Sequence, residues 1–460
     1  MRASPRCSSR ACSSVTISAT TAPPLNVNRR LDHSMKYSVI TFGCRVNQAD
    51  SLGFEEEFLS RGARPATPEE ADVVVINTCS VTSSADQGAR QTIRRLSRHN
   101  PEARIIVTGC YATRRPTEVA ALGHVAQVVA NPEKPRLVPL VLRTNQSLGT
   151  AERFANGDGP CGATIEPGVA GRTAFTLRVQ TGCSEPCSYC IIPTTRGAPE
   201  SRPLDSVLTE INRVASAGFK EVAITGVHLG SYGRDLAPPS SLASLLTAIS
   251  DRLRNGDLRF RISSLEPMDC TEEIVRLLSE KPCFAPHFHL PLQHASPSML
   301  KAMRRPYTIE AYAELLGHIR KEMPHAALGT DVIVGFPGET DRDFDALVTF
   351  LEDSPLTHVH VFPYSDRPGT AASDFPDKVP GVVVRERAGR VREISGRLTS
   401  RFRARQLGTL HRALTLDDGT LAVTGNYLKV QIAPGRQRNE WVTLRVGERA
   451  GSLMGEVLDA

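Results

Sequence analysis

The chain of 460 residues has no run of 18 uninterrupted apolar residues, which argues against a membrane-spanning helix. Its head, residues 1–34, has no apolar stretch of the kind an export signal carries, and no acidic residue before Asp32. We read that head as an extension or disordered tail ahead of a natural start at Met35, in MKYSVITFGC; an organelle presequence is the alternative. Strong charge of either sign is also lacking. The 55 Lys and Arg against 49 Asp and Glu leave a formal charge of +6, which suits a nucleic-acid partner without requiring one. Eleven cysteines, an odd number, in a long chain without an export signal do not read as a disulfide scaffold. Reduced thiols holding a soft metal fit better. The expectation is a cytoplasmic protein with no membrane partner.

Three stretches of short apolar runs organise the rest. YSVITF, DVVVINT and RIIVTG suit buried parallel strands, with helical patterns in QADSLGFEEEFLSRG and SSADQGARQTIRRLSRHN between them. Cys44, Cys79 and Cys110 fall at or just past the ends of those strands. In an open parallel sheet these ends form the crevice where ligands bind, so cysteines far apart in sequence converge. Residues 141–170, with Cys161, read as a linker. From 171 to 395, strands at AFTLRVQTG, EVAITGV, RFRISSL, HFHLPL, ALGTDVIVGF and THVHVFPY alternate with helices near 204–217, 241–254, 271–279, 308–322 and 341–352. That alternation predicts a full or partial α/β barrel. Residues 396–460 alternate and carry turn signals such as Asp417–Asp418–Gly419, which predicts a small antiparallel β-barrel. Eight arginines between Arg385 and Arg405 lie on its approach, as a solvated helix face or an RNA contact.

The densest signal is TGCSEPCSYC, residues 181–190. Structural zinc would need a fourth ligand, a distant His or Cys, beyond Cys183, Cys187 and Cys190. Three thiolates on a [4Fe–4S] cluster instead leave one iron free for a chelating substrate.

Cys-x3-Cys-x2-Cys with Tyr189 before the last cysteine resembles the cluster motif of radical S-adenosylmethionine enzymes. The resemblance implies that the open iron takes the cofactor's amino and carboxylate groups. One electron then cleaves a carbon–sulfur bond and yields a radical able to abstract hydrogen, while the protein positions the reactants and excludes water. It also makes Tyr189 from the cluster loop itself, Thr225, Gly226 and Gly230 in AITGVHLGSYG, and Gly335, Pro337 and Gly338 in DVIVGFPGET, candidate cofactor-binding residues. Ordinary tight turns explain those glycines equally well. Glu339 is expected to cap the next helix. Arg304 and Asp331 are candidate pocket residues, or satisfied ion pairs.

Together with FGCRVNQADS, VVVINTCSVTSSAD and IIVTGCYA, the chain resembles the methylthiotransferases over residues 36–455. The family architecture implied is α/β: a three-layer cluster domain (35–140), a radical barrel of partial TIM type (171–395) and a small RNA-binding barrel called TRAM (396–460). The resemblance implies a second [4Fe–4S] cluster on Cys44, Cys79 and Cys110, and S-adenosylmethionine used both as methyl donor and as radical source. GCRVNQAD is similar to the Gly-Cys-Lys-Val-Asn-Gln of the branch acting on threonylcarbamoyladenosine in tRNA, with Arg45 for Lys, and HVHVFPYSDRPGTAA points the same way. The other branches act on isopentenyladenosine in tRNA or on an aspartate of a ribosomal protein. The partners implied are a tRNA anticodon stem-loop modified at position 37, an electron donor of flavodoxin or ferredoxin type and a sulfur donor, with the enzyme a monomer. Tyr427 and Lys429 are candidate RNA contacts, Tyr427 alternatively a barrel core residue. His294–Ala295–Ser296 stand where the family has Ser-Gly-Ser; His294 is expected at the surface or behind the reacting groups.

Overall fold

The computed structural model describes residues 35–142, 167, 173–252 and 257–458. The expectations for residues 1–34 and for nearly all of the linker, Cys161 included, lie outside the described residues.

The first domain is a five-stranded parallel sheet in the order β2–β1–β3–β4–β5. Its strands are β1 (Lys36–Thr41), β2 (Arg64–Pro65), β3 (Val73–Thr78), β4 (Arg104–Gly109) and β5 (Val125–Val129). All six residues of β3 are buried, as the unbroken VVVINT run requires of a central strand covered on both faces. Helix α1 (Arg45–Ser60) packs Phe54 and Phe58 on one face with Val73, Val75 and Ile106. Helix α2 (Ser83–His99), capped by the Thr82 side chain, packs Ala89, Ile93 and Leu96 on the other. This is a three-layer arrangement with every strand pointing its carboxyl end the same way.

The central domain opens with β6 (Phe175–Arg178) and a short antiparallel ribbon, β7 (Gln180–Thr181) with β8 (Glu200–Ser201). Strand β6 then pairs in parallel with β9 (Glu221–Thr225), and β9 with β10 (Arg259–Ile262). A second parallel group joins β11 (His287–His289), β12 (Ala327–Val334) and β13 (His358–Pro363). Isolated bridges at Phe260–Phe284 and Ser264–His289 connect the groups into one curved, six-stranded partial barrel. Outward residues such as Ile224, Phe260, Leu328, Val332 and Val359 bury against the surrounding helices. A 26-residue helix, Gly381–Gln406, buries Ala388, Val391, Ile394 and Leu398 in that core, so it crosses the boundary expected at 395/396. Of its arginines, Arg387 is buried against Glu339 and Asp341, and Arg390 and Arg397 pair with Glu352.

Strands β14 (Leu410–Leu416), β15 (Leu421–Thr424), β16 (Lys429–Ile432), β17 (Trp441–Arg449) and β18 (Ser452–Leu458) close a small barrel in the order β14–β15–β16–β18–β17. Closure removes free edges. It docks beneath the central barrel through two buried guanidiniums. Arg259 donates to the Val423 carbonyl at 3.2 Å, Arg261 to the Gly425 carbonyl at 2.9 Å, and both pair with Glu221. Burial alone would raise the Glu221 carboxyl; Arg261 and Arg259 instead lower it to about 2.

Because the unfolded carboxyl titrates near ~4.3, that depressed value contributes stability fully present above pH ~4 and lost as pH falls toward 2. Glu221→Gln strands two buried cations and is expected to cost about 3–5 kcal/mol. Urea unfolding across this acid range should show a smaller loss of stability between pH ~4 and ~2 in the variant than in wild type, the remainder coming from other depressed carboxylates such as Asp50.

Candidate functional site

Two sets of three cysteines occupy strand ends on facing domains. Cys44 follows β1 as the N-cap of α1. Cys79 follows β3, and Cys110 opens a short helix directly after β4. The three thiols stand within electrostatic reach of one another: burial, and after it the charges of Cys44 and Cys110, push the Cys79 thiol up to about 11. The second set sits in the loop after β7. There burial, followed by the charges of Cys187 and Cys183, pushes the Cys190 thiol up to about 12. Burial thus disfavours a free thiolate at Cys79, Cys187 and Cys190, and a coordinated metal is what would hold them deprotonated.

Three of the cysteines, one set's Cys44 and Cys110 and the other's Cys183, follow a glycine with positive φ: 87° at Gly43, 96° at Gly109 and 71° at Gly182. A Cβ at Gly43 would overlap the Cys79 side chain, and one at Gly182 the Ala198 carbonyl. The Gly-Cys junctions let backbone and thiols approach more closely than any other residue would.

Around the second set, the Arg305 guanidinium donates to Cys187 Sγ at 3.3 Å and pairs with Glu266. His228 lies 3.9 Å from Cys183 Sγ and is fixed by Asp269 at 2.7 Å. Ser188 ties the loop to the carbonyls of Ala302 and Met303 at 2.8 and 3.2 Å. Tyr189 packs against the apolar cluster of Met299, Met303, Ile333 and Phe336, which shields this end of the barrel from water.

The other sequence candidates divide. Thr225 is buried at the end of β9. The crowding that demands glycine is internal at three positions: Gly226 faces Gln180, Gly230 faces Asp269 and Gly335 faces Val384. Gly338 has open space where a Cβ would stand, and Pro337 is buried beside it. Glu339 does not cap the following helix. Thr340 does, with Asp343 completing the capping box, while buried Glu339 binds the backbone N–H groups of Gly335 and Phe336 and lies near His294 and Arg387. His294 is fully buried, so it is no surface residue. Arg304 is exposed, in a left-handed turn with φ 58°, and that turn puts its neighbour Arg305 into the site instead. Asp331 lines the barrel interior beside His289 and His360. Tyr427 is neither core nor a free-standing platform: its hydroxyl accepts from Arg45 at 3.3 Å and its ring covers Arg261. Lys429 is exposed on β16.

The sequence reading missed Arg196, six residues after Cys190. Its guanidinium reaches back to the first domain, bonding Asn47 and pairing with Asp50 at 3.1 Å. Lys134 and Arg178 meet the same carboxylate. Burial would raise Asp50, but Lys134, Arg178 and Arg196 hold it well below the usual carboxylate range. Cys110 and Cys44 also act on Arg196, so this one side chain stands within electrostatic reach of the first cysteine set while following the second in sequence.

Residues 36–131 match the model described as uncharacterized protein family UPF0004, and residues 177–351 that of the radical SAM superfamily. The threonylcarbamoyladenosine tRNA methylthiotransferase MtaB of Aquifex aeolicus is 36% identical over 402 residues, 86% of this chain and 96% of its own length. The protein of the same name from Bacillus subtilis is 36% identical over 368 residues, 79% and 80% of the two chains. Among solved structures, the radical S-adenosylmethionine methyltransferase TsrM of Kitasatospora setae aligns with a TM-score of 0.52 at 16% identity, over 74% of this chain and 77% of that one, a likeness of fold.

Gly182→Ala and Gly338→Ala separate backbone strain from overlap. Gly338→Ala should cost only the left-handed penalty of about 1–2 kcal/mol. Gly182→Ala adds the collision with Ala198 and should cost about 4 kcal/mol or more, read by anaerobic urea unfolding.

Proposed function

The chain belongs to the radical S-adenosylmethionine methylthiotransferases of the threonylcarbamoyladenosine tRNA branch, and from that premise we propose how its own residues serve the reaction. The observation that carries the proposal is the facing of two three-cysteine sites across one domain boundary, joined by Arg196 and Asp50. Cys183, Cys187 and Cys190 hold one [4Fe–4S] cluster, and Cys44, Cys79 and Cys110 a second. Both sets fit the group: soft donors are gathered on strand-end loops, with glycine approach at Gly43 and Gly182 and buried cations to offset thiolate charge. When bound, the clusters and S-adenosylmethionine supply reductive cleavage, hydrogen abstraction and the sulfur that receives a methyl group.

The protein's part is placement. Arg305 offsets charge at Cys187, and the His228–Asp269 pair orients an imidazole toward Cys183. Tyr189, Phe336 and the methionines beside them keep water from the radical end of the barrel. Thr225, Gly226 and Gly230 shape the turn after β9, and Gly335, Pro337 and Gly338 the turn after β12, the two strand-end loops assigned to S-adenosylmethionine. The substrate is a tRNA anticodon stem-loop carrying threonylcarbamoyladenosine at position 37, methylthiolated at C2. The closed carboxy-terminal barrel, as a TRAM domain with Lys429 exposed, and the exposed Arg385, Arg392, Arg403 and Arg405 supply cationic RNA contacts. A flavodoxin or ferredoxin supplies electrons, a separate donor supplies sulfur, and the enzyme acts as a cytoplasmic monomer. Among the described residues no helix is long and apolar enough to cross a membrane.

Nucleoside mass spectrometry of tRNA from a strain lacking the gene should show loss of the 2-methylthio derivative and accumulation of its threonylcarbamoyl precursor. An unchanged profile, with no second such enzyme present, sinks the substrate assignment. In the purified enzyme, Cys187→Ala should abolish 5′-deoxyadenosine formation. Cys79→Ala should retain cofactor cleavage while losing methylthiolated product; full product from Cys79→Ala contradicts the role given to the first domain.

A further inference from the structure

The inside of the central barrel is polar on one wall. Strand alternation puts His287 and His289 of β11, Asp331 of β12, and His358 and His360 of β13 on the same face, in the register His289–Gly329–His358 and Asp331–His360. Their sequence neighbours Phe288, Leu328, Val332 and Val359 point outward into the apolar core. The rings form a continuous surface, with centroids 6.4 Å apart for His287–His358, 5.3 Å for His358–His360 and 5.5 Å for His289–His360. Gly329 leaves room for this wall, since a Cβ there would overlap the His358 ring.

The floor comes from another domain. Tyr427, at the tip of the β15–β16 hairpin, has a left-handed backbone with φ 66°. Its ring lies 5.1 Å from His287 and 4.5 Å above the Arg261 guanidinium, yet is 41% exposed. The third side comes from the first domain, where Arg45, the residue after Cys44, reaches the Tyr427 hydroxyl. Arg45 differs from the other cations at this junction. Arg178, Arg196, Arg259, Arg261 and Arg305 all pair with buried or half-buried carboxylates, whereas Arg45 has no carboxylate partner among the described residues.

We propose that this three-domain lumen is the pocket for the threonylcarbamoyl substituent of the target adenosine, and that Arg45 pairs with its threonine carboxylate. The inference rests on the function proposed above and adds the residues that read the substrate. An uncompensated guanidinium is the group an acidic substituent would seek, and a charge-assisted bond to it is strong. Asp331 Oδ1 is buried between His289 Nε2 and His360 Nδ1, 3.0 and 3.3 Å away, and its carboxylate keeps acceptor capacity beyond these two ion pairs. It is an acceptor for the substituent's hydroxyl or ureido N–H. Burial first, then neighbouring positive charge, lowers His287 and brings His358 to about 4, so these two rings are neutral imidazoles against which a planar ureido group can lie, while Asp331 raises His360 beside them. An isopentenyl group offers no carboxylate to Arg45, and leaving that guanidinium without an anionic partner is how such a site rejects it.

The test uses reconstituted enzyme, kept anaerobic, and anticodon stem-loops carrying threonylcarbamoyladenosine or its threonine methyl ester, with affinity read by fluorescence anisotropy. Wild type should prefer the acid by about ten- to one-hundred-fold. Arg45→Gln should bring the ratio near one by weakening only the acid, and Arg45→Lys should keep most of it. An unchanged ratio in Arg45→Gln, or no preference in wild type, overturns the assignment even where wild type still methylthiolates the acid RNA. A preference that arises only with added Zn2+ also overturns it, by making His289, Asp331 and His360 metal ligands. Failure of wild type to form product on the acid RNA would instead strike the functional reading itself.

Discussion

Much of the structure turns on one buried carboxylate. Asp50 of the first domain lies among Lys134, from its own domain, and Arg178 and Arg196, from the central barrel. Three cations around one anion leave a net positive charge in a buried place, which is costly unless further anionic charge lies nearby. Thiolate sulfurs are the available source, and Arg196 feels both Cys44 and Cys110. The interaction that fastens the two domains therefore also prepares them for negative charge at the cysteine sites.

The same economy recurs at the other boundary. Glu221, Arg259 and Arg261 fill the base of the barrel and hand their remaining donors to backbone carbonyls of the closed barrel below. Salt bridges at buried positions contribute little net stability against apolar packing, but they specify geometry, because only one arrangement satisfies every partner. Here that arrangement places the β15–β16 hairpin tip in the barrel and brings Tyr427 against a residue adjacent to Cys44. Three domains thus converge on one lumen, each contributing a side chain that the others hold in place.

Architecture was legible in the sequence because it follows local pattern. The expected strands of the first domain, VVVINT among them, and the six runs of the barrel match observed strands, and the alternating pattern after 409 closes into the expected small barrel, antiparallel except for its parallel β16–β18 pair. The cysteine motifs were legible because spacing within a loop is itself chemical information. The supporting residues were not, for two reasons. Some depend on a backbone turn: Arg304 and Arg305 are indistinguishable as letters, and only the positive φ at Arg304 directs the second inward. Others depend on partners far away in sequence, as Arg196 with Asp50 and Arg45 with Tyr427 do. The alternating His residues at 287, 289, 358 and 360 did carry a signal of a shared polar face, readable once their strands were known to be neighbours. Glu339 misled because an acidic residue before a helix looks like a cap, while Thr340 performs that role and Glu339 is drawn into the preceding turn.

The central claim is that two independent three-cysteine sites each hold a cluster. Iron and sulfide quantification on anaerobically reconstituted protein tests it most directly, comparing wild type with the Cys183→Ala/Cys187→Ala/Cys190→Ala variant. The account predicts about eight irons per chain in wild type and about four in the variant. About four in wild type and none in the variant would leave the first domain without a cluster and contradict sulfur insertion by this protein.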